Sequence, residues 1–442
     1  MSPARRYVII GSGVAGVAAA QAVRAHDGGG EIHLISDDPF GYYSRPGLAY
    51  YLSGEITEGL LYPYQKKDFQ VIQLRWHTTN VESLVPAEHR VQLANRETIT
   101  YDRLLIATGS IAIPSGVPGA SLQGVVKLDS MEDARKILKL ARRAKTAVVV
   151  GGGITALELV EGLRAQRLRV HYLLRGERYW SNVLDPTESE IVESRLLHEG
   201  VEIHYQTELA EIIGQNGKVT GVRTKDGRVI RCEMVAVAIG VSPRKELAQA
   251  AGLQTERGIL INEYLQASDP DIFAAGDVAQ VFDPHSGKSA LDTLWTTAHH
   301  QGSTAGANMA GQSMVYWKNV PLNVTRLAGL TTTIIGTVGR GTDPSLAGIN
   351  RGDSETWRQL PVHSVAEARR DGDRLRLLIG ENRLLGAVVM GDQALSVAVQ
   401  ALVAHRVDIS RIQEELLKKS QIAETLSTFW NQWRSHNAHA RP

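Results

Sequence analysis

Tyr7-Val8-Ile9-Ile10-Gly11-Ser12-Gly13-Val14-Ala15-Gly16 is an apolar run that opens into a Gly-x-Gly-x-x-Gly turn. The small residues that follow, Val17-Ala18-Ala19-Ala20-Gln21-Ala22-Val23, read as a helix. The three glycines serve different ends. Gly11 permits the tight turn, Gly13 lets backbone approach a pyrophosphate, and Gly16 lets helix and strand pack closely. The helix N-terminus then presents its N–H groups and dipole to negative charge. A second apolar run, Ile32-His33-Leu34-Ile35-Ser36, ends at Asp37, where an acid suits a ribose hydroxyl. Strand, turn, helix and acid together predict a dinucleotide-binding unit at the start of the chain.

The same pattern recurs. Ala147-Val148-Val149-Val150 runs into Gly151-x-Gly153-x-x-Ala156, and Leu157 and Glu158 continue the helix. The next strand, Arg169-Val170-His171-Tyr172-Leu173-Leu174, ends at Arg175-Gly176-Glu177-Arg178. Arginine at that end suits a 2′-phosphate and an acid suits a free 2′-OH. Arg175 and Arg178 thus favour NADPH, while Glu177 leaves NADH open.

Other stretches fill in the organisation. Residues 44–52 read as a short tyrosine-rich helix, and Arg45 is placed as a phosphate contact. Residues 78–100 alternate as a meander that turns near Pro86, and residues 203–230 carry hairpin turns at Asn216-Gly217 and Asp226-Gly227. Buried strands end at Ala107-Thr108-Gly109-Ser110 and at Ile239-Gly240, and Ala274-Ala275-Gly276-Asp277 sets an acid on a tight turn. Helices are predicted over 131–144 and 296–310. From about Pro321 the character changes to strands over 324–339 and 374–390, with a polar turn at Asp371-Gly372-Asp373. A helix over 394–404 follows, then a longer one over 410–433. That last helix carries Ile412, Leu416, Ile422, Leu426, Phe429 and Trp433 at helical spacing, as core, dimer interface or docking face.

Composition excludes several classes. The 442 residues carry 48 Lys+Arg against 47 Asp+Glu, so no basic field argues for nucleic acid. A single cysteine, Cys232, forbids an internal disulfide or a paired-thiol redox centre, and no metal site is expected. No apolar run approaches membrane-spanning length. The first strand is entered at once, so no signal peptide is expected and a cytoplasmic location is the default.

The order of these motifs resembles the pyridine nucleotide-disulfide oxidoreductases over nearly the whole chain. The resemblance implies an α/β chain of two Rossmann-like dinucleotide-binding domains, the second inserted in the first, plus a C-terminal α+β domain. The implied ranges are 1–118 and 246–318 for FAD, 119–245 for NAD(P)H, and 319–442 for an interface domain of a homodimer. It implies FAD contacts at Gly11, Gly13, Gly16, Asp37, Arg45, Pro46, Val81, Thr108, Gly109, Gly276 and Asp277. Gly151, Gly153, Ala156, Glu158, Arg175 and Gly240 would serve NADPH or NADH.

The departures set the chemistry. Pro46 stands where single-cysteine members hold their nucleophile, and proline cannot replace a thiolate. Cys232 reads as a buried structural thiol. Tyr43-Ser44-Arg45-Pro46 resembles the Tyr-x-Arg-Pro of rubredoxin, ferredoxin and nitrite reductase flavoproteins, and residues 383–392 resemble the nitrite reductase branch. Where those members pair a lysine with the helix glutamate, this chain has Tyr50, so a raised pKa is expected for Glu158. The implied activity is hydride transfer from NAD(P)H to flavin, then electron transfer to an iron protein, a quinone or dioxygen. Two alternatives are a flavoprotein subunit docking through its C-terminal helix, at a membrane surface or in a complex, and a nucleotide-binding member without activity.

Overall fold

The computed structural model describes residues 4–283, 287–339, 349–358, 361–370, 373–418 and 421–437. The Asp371-Gly372 part of the expected polar turn lies outside them.

Arg6–Ile10 is the central strand of a five-stranded parallel sheet, flanked by Glu31–Ser36 and Arg103–Ile106. Leu74–Thr78 and Ile272–Ala274 complete its edges. Ile272–Ala274 joins this sheet after an excursion of more than 150 residues, within which a second parallel sheet forms around Thr146–Val150. The second nucleotide fold is therefore inserted in the first. Both central strands are apolar on both faces because helices cover one side of each sheet and antiparallel strands pack on the other.

The Val14–His26 helix packs against Trp295–Met309 at unusually close range. A Cβ added at Gly302 or Gly306 would run into the backbone of Ala15 or Ala19. This is why the helix is so rich in small residues. Antiparallel meanders occupy Val81–Val85 to Thr98–Thr100 and Leu209–Gln215 to Val229–Arg231, and the Asn216 and Gly217 turn takes the positive φ angles that the pair suggests.

The C-terminal region is a five-stranded antiparallel sheet in the order Leu322–Leu327, Leu330–Gly336, Arg383–Met390, Asp373–Gly380, Ser364–Arg370. The stretches expected as strands over 324–339 and 374–390 each fall in a hairpin, the first with Ala328 and Gly329 at positive φ in its turn. The long helix expected over 410–433 is two helices, Gln413–Leu417 and Ile422–His436. Part of its apolar face is turned inward. Ile422 and Leu426 are fully buried, and Phe429, Trp430 and Trp433 pack on the same core. Burial of two such aliphatic side chains stabilises the docked helix by about 3–6 kcal/mol, enough to hold it against its own sheet.

The C-terminal sheet is fastened to the second fold by buried charge. Arg376 donates from Nε to Glu188 at 2.8 Å, from Nη1 to the Val338 carbonyl at 3.0 Å and from Nη2 to the Val183 carbonyl at 2.8 Å. Arg374 reaches Asp185 at 2.5 Å from the same strand.

Candidate functional site

The carboxyl ends of the first sheet open on a cleft of about 790 Å³. Gly11, Ser12 and Gly13 form its floor, Asp37 and Asp38 close one end, and Thr108, Gly109, Gly276 and Asp277 line the other. Gly11 sits at φ +115°, and a Cβ there would strike the Ala107 carbonyl. Around Gly13, by contrast, no protein atom lies within 4 Å of an added Cβ. The Val14–His26 helix has Gly13 as N-cap with no side-chain hydrogen bond to its first turn. Elsewhere Ser130 and Asp185 cap their helices with a side chain. Open space above uncapped amides is a seat for an anion, and a cleft of this volume suits a dinucleotide.

Asp277 faces the cleft and accepts a hydrogen bond from Ser110 Oγ at 2.6 Å. Burial pushes its carboxyl up, against the pull of Arg351, Ser110 and Arg45. Arg45 donates to the Asp129 carbonyl at 2.9 Å and stands 3.8 Å from Asp38, at the cleft wall. Val81 also lines the cleft. Pro46 does not: it is the N-cap of the Gly47–Ser53 helix, where its fixed φ starts the turn. Gly16 is structural too, its missing Cβ making room for the Gly11 carbonyl.

Sequence reading missed Ser110, Asp129, Arg244 and Arg351. Arg351 comes from the C-terminal region and is ion-paired to Asp129. Burial would raise the Asp129 carboxyl, but Arg351, Lys127 and Arg45 outweigh it and hold the group below the usual range. Ser110 was legible beside Gly109. Nothing in the sequence near Arg351 pointed to the cleft.

The second turn repeats the first with one difference. Gly151 takes φ +146°, its added Cβ blocked by the Ala238 carbonyl and tight against Ala156, and Gly153 caps its helix without a side chain. The space beside Gly153, Thr155 and Gly240 is about 20 Å³, room for roughly one water. Asn350 fills the rest, its side chain lying against Gly153. The Ile349 carbonyl accepts from Val241 N at 2.9 Å, and the Asn350 carbonyl from Thr293 Oγ1 at 2.6 Å. A dinucleotide on this turn must displace the Asn350 side chain. At the adjoining strand end Arg175 is exposed, while Arg178 is engaged by Glu177 at 2.7 Å and by the Ser181 carbonyl at 3.3 Å.

Glu158 lines neither cleft among the described residues. Burial pushes its carboxyl up to about 7, helped by Glu161 and opposed by Arg351 and Arg326. Glu161 is likewise pushed up to about 7 by burial, against Arg326 and the Gly329 amide at 3.1 Å. Beside Tyr50 stands Arg326, which arrives from the C-terminal sheet and lies 3.9 Å from Glu161. Its guanidinium lies 5.1 Å above the Tyr50 ring and bonds Glu55 at 2.5 and 2.6 Å.

A carboxyl raised in the fold opposes folding once it must ionise. The penalty is absent below the unfolded value of 4.5, grows as pH rises towards 7 and is constant above. Glu158→Gln is therefore expected to raise stability on the order of 2 kcal/mol at pH 8 and to change nothing near pH 4. Thermal melts of parent and variant across that range check this; parallel curves would refute it.

Cys232 is buried with Val148, Leu173 and Val235, and burial pushes its thiol up to about 12. It is an inert core residue.

A profile of the pyridine nucleotide-disulphide oxidoreductases matches residues 5–302. The ferredoxin–NAD(+) reductase component of the biphenyl dioxygenase system of Paraburkholderia xenovorans is 30% identical over 412 residues, spanning 92% of this chain and 94% of the relative. An NADH oxidase of Methanocaldococcus jannaschii is 31% identical over 336 residues, 74% of each chain. The crystal structure of the ferredoxin reductase for the CYP199A2 system of Rhodopseudomonas palustris superposes with a TM-score of 0.84 at 25% identity, covering 96% of this chain and 99% of that one. With both uncapped glycine turns in place, and a family match across more than half its length, the chain belongs to the pyridine nucleotide-disulphide oxidoreductases.

Proposed function

We propose that this chain is a cysteine-independent flavoprotein that carries electrons from NAD(P)H to an iron protein. It is an NAD(P)H-dependent oxidoreductase, and its cofactors are FAD and a nicotinamide dinucleotide. The observation that carries the reading is the pair of glycine-capped helix N-termini, left without side-chain caps while a single inert thiol lies in the core. FAD, when bound, supplies the hydride acceptor and the onward release of electrons.

The residues supply position and charge. Gly13 and the amides of the Val14–His26 helix seat the FAD pyrophosphate, and Asp37 takes the adenosine ribose. Arg45 sits at the phosphate end, and Asp277, steadied by Ser110, accepts hydrogen bonds from the polyol linker. Thr108 and Gly109 bound the cleft where the two folds meet, Thr108 Oγ1 donating to the Arg244 carbonyl at 2.8 Å. Gly151, Gly153 and Gly240 seat the nicotinamide dinucleotide, with Arg175 near its ribose. The ferredoxin reductase relative, aligned almost end to end, supports an iron–sulfur protein as acceptor; the NADH oxidase relative makes dioxygen the competing outcome. A homodimer built on the 319–442 region, and FAD ranges of 1–118 and 246–318 around a 119–245 NAD(P)H unit, belong to the same reading. Among the described residues no helix is long and apolar enough to cross a membrane.

Anaerobic mixing tests the core of this. NADH or NADPH is expected to bleach the flavin absorbance stoichiometrically, and a reduced ferredoxin-type acceptor to appear on its addition. If neither nucleotide bleaches the flavin, the reading fails; if only dioxygen reoxidises it at turnover rate, the acceptor is wrong. The rate of bleaching in Asn350→Ala is expected to half-saturate at several-fold lower nucleotide, because the competent state no longer requires a side chain to move. Equal half-saturation would show that Asn350 does not obstruct the turn.

A further inference from the structure

In the second sheet, Glu202–His204 is the edge strand and pairs in parallel with Arg169–Leu173. Residues of one parity on these two strands share a face, which brings His171 beside both Glu202 and His204. His171 Nδ1 lies 3.1 Å from His204 Nε2 and 3.3 Å from Glu202 Oε2. One ligand atom from each of the three residues falls within 4.8 Å of the others. These are the dimensions of a coordination shell: at metal–ligand bonds of about 2.0–2.1 Å the edge of a tetrahedron is about 3.3 Å. From this juxtaposition we propose that His171, Glu202 and His204 form a site for a divalent transition ion of the zinc class, separate from both nucleotide turns.

The surroundings support it. The two histidines are partly buried and the glutamate half-exposed, which leaves an open side for a water as fourth ligand. Arg169 holds Glu202 through Oε1 at 3.2 Å, orienting Oε2 towards His171. The nearby Arg228 is paired to Asp226 at 2.7 Å and does not occupy the carboxylate. Imidazole nitrogens select zinc, nickel or copper over magnesium or calcium. The first sheet supplies an internal contrast. His33 and His77 also meet, at 2.9 Å, but Glu31 lies by the opposite nitrogen of His33, at 3.7 Å. One ion cannot take all three there.

An ion at the proposed site would staple the edge strand to its neighbour. Leu174 N donates to the His204 carbonyl at 2.9 Å, so the staple would also brace the strand end that leads to Arg175.

The test uses the full-length FAD-loaded protein, stripped with chelator and dialysed against zinc ions. One zinc per chain is expected to remain, and to raise the melting temperature. His204→Gln and Glu202→Gln should each weaken binding by more than the roughly 10–100-fold that loss of an outer-sphere partner costs. Glu202 is exposed enough that its variant folds even if the histidine variant does not. His33→Gln should leave the bound zinc unchanged. The proposal is overturned if the parent retains no zinc, if E202Q and H204Q retain as much as the parent, or if H33Q removes it.

Discussion

Gly11→Ala is expected to weaken flavin binding and lower the stability of the apoprotein, whereas Gly13→Ala is expected to weaken only flavin binding. Gly11 holds φ +115°, a region L side chains rarely enter, and its new Cβ would overlap the Ala107 carbonyl of the neighbouring strand. Backbone strain of that kind costs on the order of 1–3 kcal/mol before the strand is pushed aside. Gly13 has an ordinary backbone, φ −72° and ψ −178°, and empty space where the methyl would go. Its alanine variant should therefore melt with the parent when flavin is absent. What the methyl meets is the bound pyrophosphate, and loss of one or two charge-assisted amide contacts lowers FAD affinity by about 10–100-fold. Apoprotein melts and FAD titrations by fluorescence quenching separate the two variants. If Gly13→Ala binds FAD as the parent does, the cleft is not the pyrophosphate seat.

The contrast between these two glycines also marks what could be read from sequence. Strand, turn and helix at Gly11 and at Gly151 were legible because the chemistry is local: each glycine answers to a neighbour within a few residues or on the adjacent strand. The two Asn-Gly and Asp-Gly hairpins were legible for the same reason. The raised Glu158 carboxyl followed from the absence of a lysine at Tyr50, yet the direction came without the partner. Arg326, which pulls the Glu158 and Glu161 carboxyls down, comes from the C-terminal sheet, and no local pattern announces it. Arg351 and Asn350 are alike in this. They reach both nucleotide turns from the C-terminal region, and only the tertiary packing says so. The C-terminal helix is a different case. Its apolar spacing was read well, but periodicity alone cannot say whether a face meets its own sheet or a partner. Here Ile422 and Leu426 meet their own sheet.

Glu188→Ala is expected to lower stability by about 3–5 kcal/mol, a fall in melting temperature on the order of 10 °C. Glu188 is fully buried and does two jobs. It completes a reciprocal cap with Asp185, at 2.9 Å in each direction, and accepts from Arg376 across the junction with the C-terminal sheet. Removing it leaves the Arg376 guanidinium in the interior with two carbonyls and, at 3.8 Å, the Asp185 carboxylate. Burial nonetheless pushes the Glu188 carboxyl up, more than Arg376 pulls it down, so taking this pair out of water is not fully offset. Replacing both partners by apolar residues of similar size, Glu188→Leu with Arg376→Met, is therefore expected to recover most of the loss. Thermal melts of the three proteins decide it. A double variant as unstable as Glu188→Ala would show the ion pair to be net stabilising. The rate of flavin reduction is a second readout: Glu188 touches neither cleft, so its variants should reduce at the parent's rate below their melting point. A slowed reduction would mean that this junction also sets how the two folds face each other, and that the buried pair orients the nicotinamide turn towards the flavin cleft.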